Sequence, residues 1–152
     1  MPTITLHTKI NAPVEVVFDL ARSVDAHRDS MSHTDETVIA GVTSGLMELD
    51  DTVTWRAKHL GRYRELTSKI TELKFPQFFV DEMVEGDFKS FRHEHRFVQI
   101  DSGTIMTDIF EYSSPYGFIG KAADALFLRA YMKSLLSKRN AALKAAAELS
   151  HS

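Results

Sequence analysis

The sequence contains no cysteine, which excludes disulfide bonds, thiolate metal sites and cysteine nucleophiles. It also lacks an excess of positive charge, because 18 Lys and Arg residues stand against 21 Asp and Glu residues, a formal net charge of −3. Proteins that bind the phosphate backbone of nucleic acids normally need a clustered basic surface. Nucleic acid is therefore not an expected partner.

Long hydrophobic runs are missing as well. No stretch of the sequence approaches the roughly 20 consecutive apolar residues that a membrane span requires. The opening segment MPTITLHTKINAP lacks the basic start and apolar run of a secretory signal peptide. Repeats, low-complexity tracts and linkers are not evident either. We therefore expect one cytoplasmic domain over residues 1–152, without a membrane span.

Alternation of apolar and polar residues predicts a sheet of seven strands. The segments with a two-residue period are 4–10, 37–42, 51–60, 64–73, 78–84, 88–100 and 104–112. Short links between the later segments favour hairpins and hence an antiparallel sheet. Between the first two strands, VEVVFDLARSV and DAHRDSM predict two short helices.

The C-terminal part of the chain predicts one long helix. From about Phe118 to Leu149 the sequence is rich in Ala, Leu, Lys and Arg, with apolar residues at helical spacing. Polar residues become frequent after Lys138, which predicts that the final turns lie on the surface. A curved sheet with one apolar face needs a cover, and one long helix can supply it. The expected fold class is therefore α+β, with a cavity between sheet and helix.

The segment FRHEHRF, residues 91–97, places two histidines on the apolar face of a strand. Its Phe and His residues share one parity, and its Arg and Glu residues share the other. Short turns on either side predict that His93 pairs with Tyr112 and with Phe79. These registers put ten side chains on one face: Phe79, Asp81, Met83, Phe91, His93, His95, Phe97, Asp108, Phe110 and Tyr112.

Three segments carry a resemblance to a known superfamily. They are INAPVEVVFDLA, then GDFKSFRHEHRF followed by GTIMTDIFEYSSPYGFIG, and the closing helix. With this order of elements, the chain resembles the helix-grip START/Bet v 1-like superfamily (SRPBCC), in its bacterial polyketide cyclase/dehydratase and lipid-transport branch. The resemblance implies a helix-grip fold whose cavity takes a small, mostly hydrophobic molecule. Members include carriers, sensors, cyclases and hydrolases, so the fold alone does not assign the function.

We expect a few polar anchors in an otherwise apolar cavity, as is typical of small-molecule sites. The expected anchors are His59, Asp81, His93, His95, Asp108 and Tyr112. The expected apolar wall is formed by Trp55, Phe79, Met83, Phe97, Phe110, Phe127 and Tyr131, and the expected entrance by His27, Met31 and His33. The interior histidines and carboxylates also fit a simpler explanation, in which they satisfy one another by hydrogen bonding.

The favoured function is a carrier or sensor of a small hydrophobic ligand without a cofactor, since no catalytic triad, phosphate loop or dinucleotide motif is recognisable. The alternative is a cyclase or dehydratase in which His93 or His95 is the general base, Asp108 or Asp81 orients it, and Tyr112 polarises a carbonyl group. Metal binding by these histidines, with Asp81, Asp108 or His59 completing the ligand set, is a third alternative, but histidines at i and i+2 are common and no metal site is assigned. Protein interaction through the SMSHTDET loop or the long helix is a fourth.

Overall fold

The computed structural model describes residues 2–113 and 122–151 of the chain. The strands are β1 (Thr3–Ile10), β2 (Thr37–Gly41), β3 (Thr52–His59), β4 (Arg62–Lys74), β5 (Phe78–Glu85), β6 (Ser90–Ile100) and β7 (Gly103–Ser113). The helices are α1 (Val14–Ala21), α2 (Val24–Ser30) and α3 (Ala122–His151), with a 3-10 turn at Ser32–Thr34. The predicted class, strand number and element order are confirmed. The predicted start of the long helix, Phe118, lies outside the described residues.

The seven strands form one antiparallel sheet in the order β1-β7-β6-β5-β4-β3-β2, so β1 and β2 are its two edges. Pairing is irregular between Val38 and Ala40 of β2, and at two places in β4. Irregularities of this kind bend a strand and increase its twist. The apolar face of the curved sheet packs against α3, as a helix-grip fold requires. Among the described residues, no helix combines the length and apolarity needed to cross a bilayer.

The registers of the two central hairpins differ from the predicted ones by two residues. His93 pairs with Phe110 and Asp81, whereas the predicted partners are Tyr112 and Phe79. A displacement of two residues preserves side-chain parity, because strand side chains alternate with a period of two. The inner face therefore keeps the predicted set of residues, although the nearest neighbours within that set change.

The turn between β6 and β7 consists of Asp101 and Ser102, since Ile100 pairs with Gly103. The predicted turn included Gly103, which is instead the first residue of β7. Gly103 has a φ of +146°, and a Cβ there would overlap the carbonyl oxygen of Ile10 on β1. The close approach of β1 to this hairpin therefore requires glycine.

Helix α2 begins with a side-chain cap that the sequence pattern does not single out. The hydroxyl of Ser23 accepts a hydrogen bond from the backbone N–H of Ala26 at 3.1 Å. Asp25, a possible cap by its residue type, lies in the first turn of the helix instead. The carboxylate of Asp25 accepts a hydrogen bond from the N–H of Gly45 at 2.9 Å, which fixes α2 against the loop between β2 and β3.

The core consists of two apolar clusters arranged along α3. The first cluster contains Phe97 of β6, Met106 of β7 and Leu143 of α3. The second contains Phe91 of β6, Phe110 of β7 and Leu136 of α3. The prediction that the last turns of α3 lie on the surface is wrong for one face, since Leu143 and Ala147 are buried. On each of these three elements, the inward residues between the two clusters are polar.

Candidate functional site

Six polar side chains separate the two apolar clusters, and we call them the polar belt. They are Asp81 of β5, His93 and His95 of β6, Asp108 of β7, and Arg139 and Asn140 of α3. All are buried except Asp81, whose side chain is 25% exposed. The strand registers place Asp81 beside His93 and Asp108 beside His95. The belt therefore combines two carboxylates, two imidazoles and one guanidinium in the interior.

Asp108 is the most buried member of the belt, with no exposed side-chain surface. Its Oδ1 lies 2.8 Å from Nε2 of His93 and 3.4 Å from Nη1 of Arg139, and its Oδ2 accepts from Asn140 at 2.7 Å. Burial alone would raise the pKa of Asp108, but the hydrogen bond from His93, the nearby imidazole of His95 and the charge of Arg139 hold it well below its usual value. Asp108 is therefore a carboxylate and only accepts hydrogen bonds.

His93 is held in one tautomer by Asp108. Burial and the neighbouring charge of His95 lower the pKa of His93 to about 4, and the hydrogen bond to Asp108 only partly opposes this shift. The ring is therefore neutral near pH 7, with its proton on Nε2 because Asp108 cannot donate. Its Nδ1 makes no hydrogen bond among the described residues, and the Oδ1 of Asp81 is 3.9 Å away. His93 thus has an unprotonated ring nitrogen next to Asp81.

His95 lies between the two carboxylates and stacks on His93, with ring centroids 3.8 Å apart. Its Nε2 is 3.4 Å from Oδ1 of Asp81, and its Nδ1 is 3.4 Å from Oδ1 of Asp108 but is not aligned for a hydrogen bond. Burial lowers the pKa of His95, but Asp108 and Asp81 together outweigh burial and raise it. Burial also opposes ionisation of Asp81, yet its hydrogen bond with His95 leaves its pKa lowered.

A cavity of about 260 Å³ lies between the sheet and α3, next to the second apolar cluster. Its apolar wall includes Trp55, Leu66, Phe88, Phe91, Phe110, Leu128, Met132 and Leu136. Asp81, His93 and Arg139 of the polar belt border the cavity at one end. At the other end lies Leu60, which is 48% exposed, beside a hydrogen bond of 2.8 Å between Nδ1 of His59 and the hydroxyl of Tyr131.

A second cavity of about 90 Å³ shares part of this wall and extends towards α1 and α2. The residues common to both cavities are His27, Trp55, Ser68, Asp81, His93, Leu136 and Arg139. His27 and Trp55 stack there with centroids 4.5 Å apart, and Nε2 of His27 lies 3.1 Å from Oε1 of the buried Glu36. The belt is thus accessible from both cavities.

The structure brings only part of the predicted site residues to a cavity. The larger cavity contacts His27, Met31, Trp55, His59, Asp81, His93, Phe110 and Tyr131, and the smaller one adds Phe79 and His95. The predicted anchor Asp108 lies behind His93, and Met83, Phe97 and Tyr112 pack in the apolar clusters. Two others are exposed instead of lining a cavity: Phe127 at 54%, and His33.

Arg139 and Asn140 are the site residues that the sequence interpretation missed. A signal was present, because Leu136, Arg139, Asn140 and Leu143 have the spacing i, i+3, i+4, i+7 of a single helix face. Because Arg139 and Asn140 carry a charged group and an amide group, their residue types favoured exposure to solvent over burial in the core. Their burial makes sense only with Asp108, which lies about thirty residues earlier and accepts from both.

Solved structures with the same fold come from bacteria and plants. The protein TTHA0849 from Thermus thermophilus is 20% identical, with a TM-score of 0.73 over 95% of this chain and 99% of its own. Ms6760 from Mycobacterium smegmatis is 20% identical, with a TM-score of 0.72 over 98% and 92%. Ginseng major latex-like protein 151 from Panax ginseng is 13% identical, with a TM-score of 0.65 over 96% and 97%. At these identities the similarity shows the fold alone.

The family comparison covers most of the chain. No curated protein sequence matches it significantly. Residues 10–136 match the family described as polyketide cyclase / dehydrase and lipid transport. This range includes α1 and α2, the whole sheet after β1, and α3 as far as Leu136, and therefore every wall of the larger cavity except Arg139. The chain belongs to the polyketide cyclase/dehydrase and lipid transport family, with a fold that binds hydrophobic ligands.

Proposed function

We propose that this protein binds a small, mostly apolar molecule between the sheet and α3 and acts as its carrier or sensor. The observation that carries the proposal is the cavity of about 260 Å³, with an aromatic and aliphatic wall that ends on the polar belt. An apolar pocket with a few convergent polar groups is the usual form of a small-molecule site. The family supports the same class of ligand.

The volume of the cavity limits the size of the ligand. A dry apolar cavity of about 150 Å³ can hold one benzene molecule. The larger cavity, at about 260 Å³, therefore suits a bicyclic compound or a short isoprenoid. A long acyl chain would not fit without movement of the helix. We accordingly propose a compact ligand rather than a membrane lipid.

The polar end of the cavity favours a hydroxyl group on that ligand. Asp81 and the unprotonated Nδ1 of His93 are acceptors, and the guanidinium of Arg139 is a donor. A hydroxyl can donate its one proton to either of the two acceptors and accept from the guanidinium. A purely hydrocarbon ligand would leave Nδ1 of His93 without a hydrogen-bond donor, which costs free energy in a site that excludes water. The proposed ligand is therefore a small cyclic alcohol or phenol.

A size series of alcohols tests this function. Borneol, 2-naphthol and a C16 fatty alcohol would be compared by thermal shift, with stoichiometry from native mass spectrometry. We expect the two compact alcohols to bind one per chain and to raise Tm, and the fatty alcohol to have no effect. Ala57→Phe fills the cavity from β3 and should abolish binding, while Ala40→Phe on the exposed part of β2 should not. Equal binding by both variants would refute the site.

A second candidate function is acid–base catalysis, favoured by one contact. The 2.8 Å hydrogen bond from His93 to Asp108 orients the imidazole and leaves Nδ1 free to accept a proton from a bound substrate. The lowered pKa of His93, about 4, makes it a weak base at neutral pH, and this is why binding is the first proposal. Deuterium exchange into a bound 1,3-diketone, followed by NMR, would reveal such activity. It should depend on His93 and disappear in His93→Gln.

A further inference from the structure

We infer that Asp81, His93 and His95 form a binding site for a divalent transition-metal ion such as Zn²⁺. Each of the three side chains offers one ligand atom, and these atoms all lie within 4.8 Å of one another. Imidazole nitrogen and carboxylate oxygen are ordinary zinc ligands. Two histidines and one carboxylate also form a recurrent ligand set for other first-row metals.

The distances in this cluster are close to those of a coordinated ion. With metal–ligand bonds of about 2.0–2.1 Å, a tetrahedral ion holds its ligand atoms about 3.3–3.4 Å apart. Oδ1 of Asp81 lies 3.4 Å from Nε2 of His95 and 3.9 Å from Nδ1 of His93. Nδ1 of His93 would have to approach Asp81 by about 0.5 Å to reach the tetrahedral spacing. Asp81 is the most exposed of the three, so its side chain has room to adjust.

Asp108 supports both histidines from behind, as an outer carboxylate does in many metal sites. It accepts the Nε2 proton of His93, which leaves Nδ1 of that ring with a free lone pair. Nδ1 of His95 is buried and has no hydrogen-bond partner among the described residues, yet it lies 3.4 Å from the same carboxylate oxygen. If Nε2 of His95 binds the ion, Nδ1 carries the proton and faces Asp108.

The local charge also favours a cation. Both imidazoles must be neutral to bind an ion, and the two carboxylates then exceed the single guanidinium of Arg139 by one negative charge. A divalent ion would offset this charge. Arg139 contacts Asp108 and not the three proposed ligands among the described residues.

Three protein ligands leave a coordination position open. Asp81 and His93 both border the larger cavity, so the open position faces that space. A water molecule, or the oxygen of an alcohol or phenol, would complete the coordination. The metal site does not depend on the proposed organic ligand and can be tested without it.

Untagged protein, freed of metal with a chelator and dialysed, would be titrated with Co²⁺ and Zn²⁺. We expect one ion per chain by calorimetry and the visible absorption of four-coordinate cobalt. His93→Gln and Asp81→Asn should each abolish both signals. His7→Gln, a change in an exposed histidine of β1 that lines neither cavity, should leave them intact. Circular dichroism would confirm that each variant is folded.

Two results would overturn the inference. One is the absence of saturable binding by the folded wild-type protein. The other is binding that both His93→Gln and Asp81→Asn retain, which would place the ion elsewhere. If His93→Gln fails to fold, Asp81→Asn decides alone, because Asp81 is the least buried ligand. Since only metal is added, failure here leaves the binding of alcohols untouched.

Discussion

At the scale of single residues, Asp108 controls the charge of its surroundings. Its carboxylate is completely buried and has partners on two elements, His93 of β6 and Arg139 and Asn140 of α3. These partners stabilise the ionised form against the cost of burial. Asp108 in turn fixes the tautomer of His93, and so decides which ring nitrogen is unprotonated. Asp108 lines neither of the two cavities, yet it determines that His93 has its unprotonated nitrogen on the side of Asp81.

Replacement of Arg139 tests how much this pairing contributes to stability. Arg139→Met keeps much of the side-chain volume but removes the positive charge next to Asp108. Removing one partner of a buried pair leaves an uncompensated charge, and we expect a loss of about 3 kcal/mol. Lys138→Met changes an exposed neighbour and should cost less than about 0.5 kcal/mol. Urea unfolding of both variants measures the difference, and equal losses would argue against the pairing.

His59 gives a pH dependence whose sign follows from burial. Burial lowers the pKa of His59 from 6.5, with smaller effects from the charges of Glu36 and Arg64. Below pH 6.5 the unfolded chain therefore takes up a proton that the folded protein does not, so this residue makes stability fall as the pH decreases.

The variant His59→Gln lacks this titration. Between about pH 7.5 and about pH 5.5, we expect its free energy of unfolding to fall less than that of the wild type. Urea denaturation at both pH values supplies the comparison. Parallel changes in the two proteins would show that His59 titrates as it does in the unfolded chain.

At the scale of secondary-structure elements, hydrophobic periods of two residues in strands and 3.6 residues in helices predict which face of an element is buried. They do not predict which residues of neighbouring elements contact each other. The two-residue error in the β5–β6 and β6–β7 registers left every inner residue of β6 on the correct face. The predicted register pairs His95 with Phe110, whereas the structure pairs it with Asp108. Turn position decides the register, and the sequence SG suggested a turn at Ser102 and Gly103, whereas the turn lies at Asp101 and Ser102 and Gly103 packs against Ile10 of β1. That contact is between distant parts of the chain.

The same limit explains the outcome on α3. Helical spacing identified the long helix and most of its apolar residues. It did not identify Arg139 and Asn140 as interior residues, because a buried guanidinium depends on a partner that lies on β7. Polar groups in the core are predictable only together with the residues that satisfy them.

The β6–β7 turn allows a test of this packing at the level of elements. Gly103→Ala should cost about 3 kcal/mol, because its Cβ would overlap the backbone of β1 as well as strain the local backbone. Gly45→Ala is the matched control, with a φ of +83° and no atom of the described residues within 4 Å of the added Cβ. It should cost about 1 kcal/mol from conformational strain alone. Similar losses, measured by urea unfolding, would contradict the proposed role of the close approach.

At the scale of the whole molecule, the packed core and the larger cavity lie in different parts of the fold. The first apolar cluster joins α1 to the sheet and the end of α3, and it supplies a packed core. The second cluster lies under the first half of α3 and leaves the larger cavity beside it. The polar belt lies between them, so a molecule in the cavity meets the carboxylate of Asp81, the imidazole of His93 and the guanidinium of Arg139 at one end. The other end carries His59, which is hydrogen-bonded to Tyr131.

The central claim is that this cavity binds a compact ligand, and the single tryptophan of the chain can report on it. Trp55 is 7% exposed and borders both cavities. Borneol, which does not absorb at the wavelengths used to excite tryptophan, would be titrated into metal-free protein while Trp55 fluorescence is recorded. A saturable change at one molecule per chain, lost in Ala57→Phe and retained in Ala40→Phe, is the predicted result. An emission spectrum that does not respond to borneol, or responds equally in Ala57→Phe, would contradict the claim.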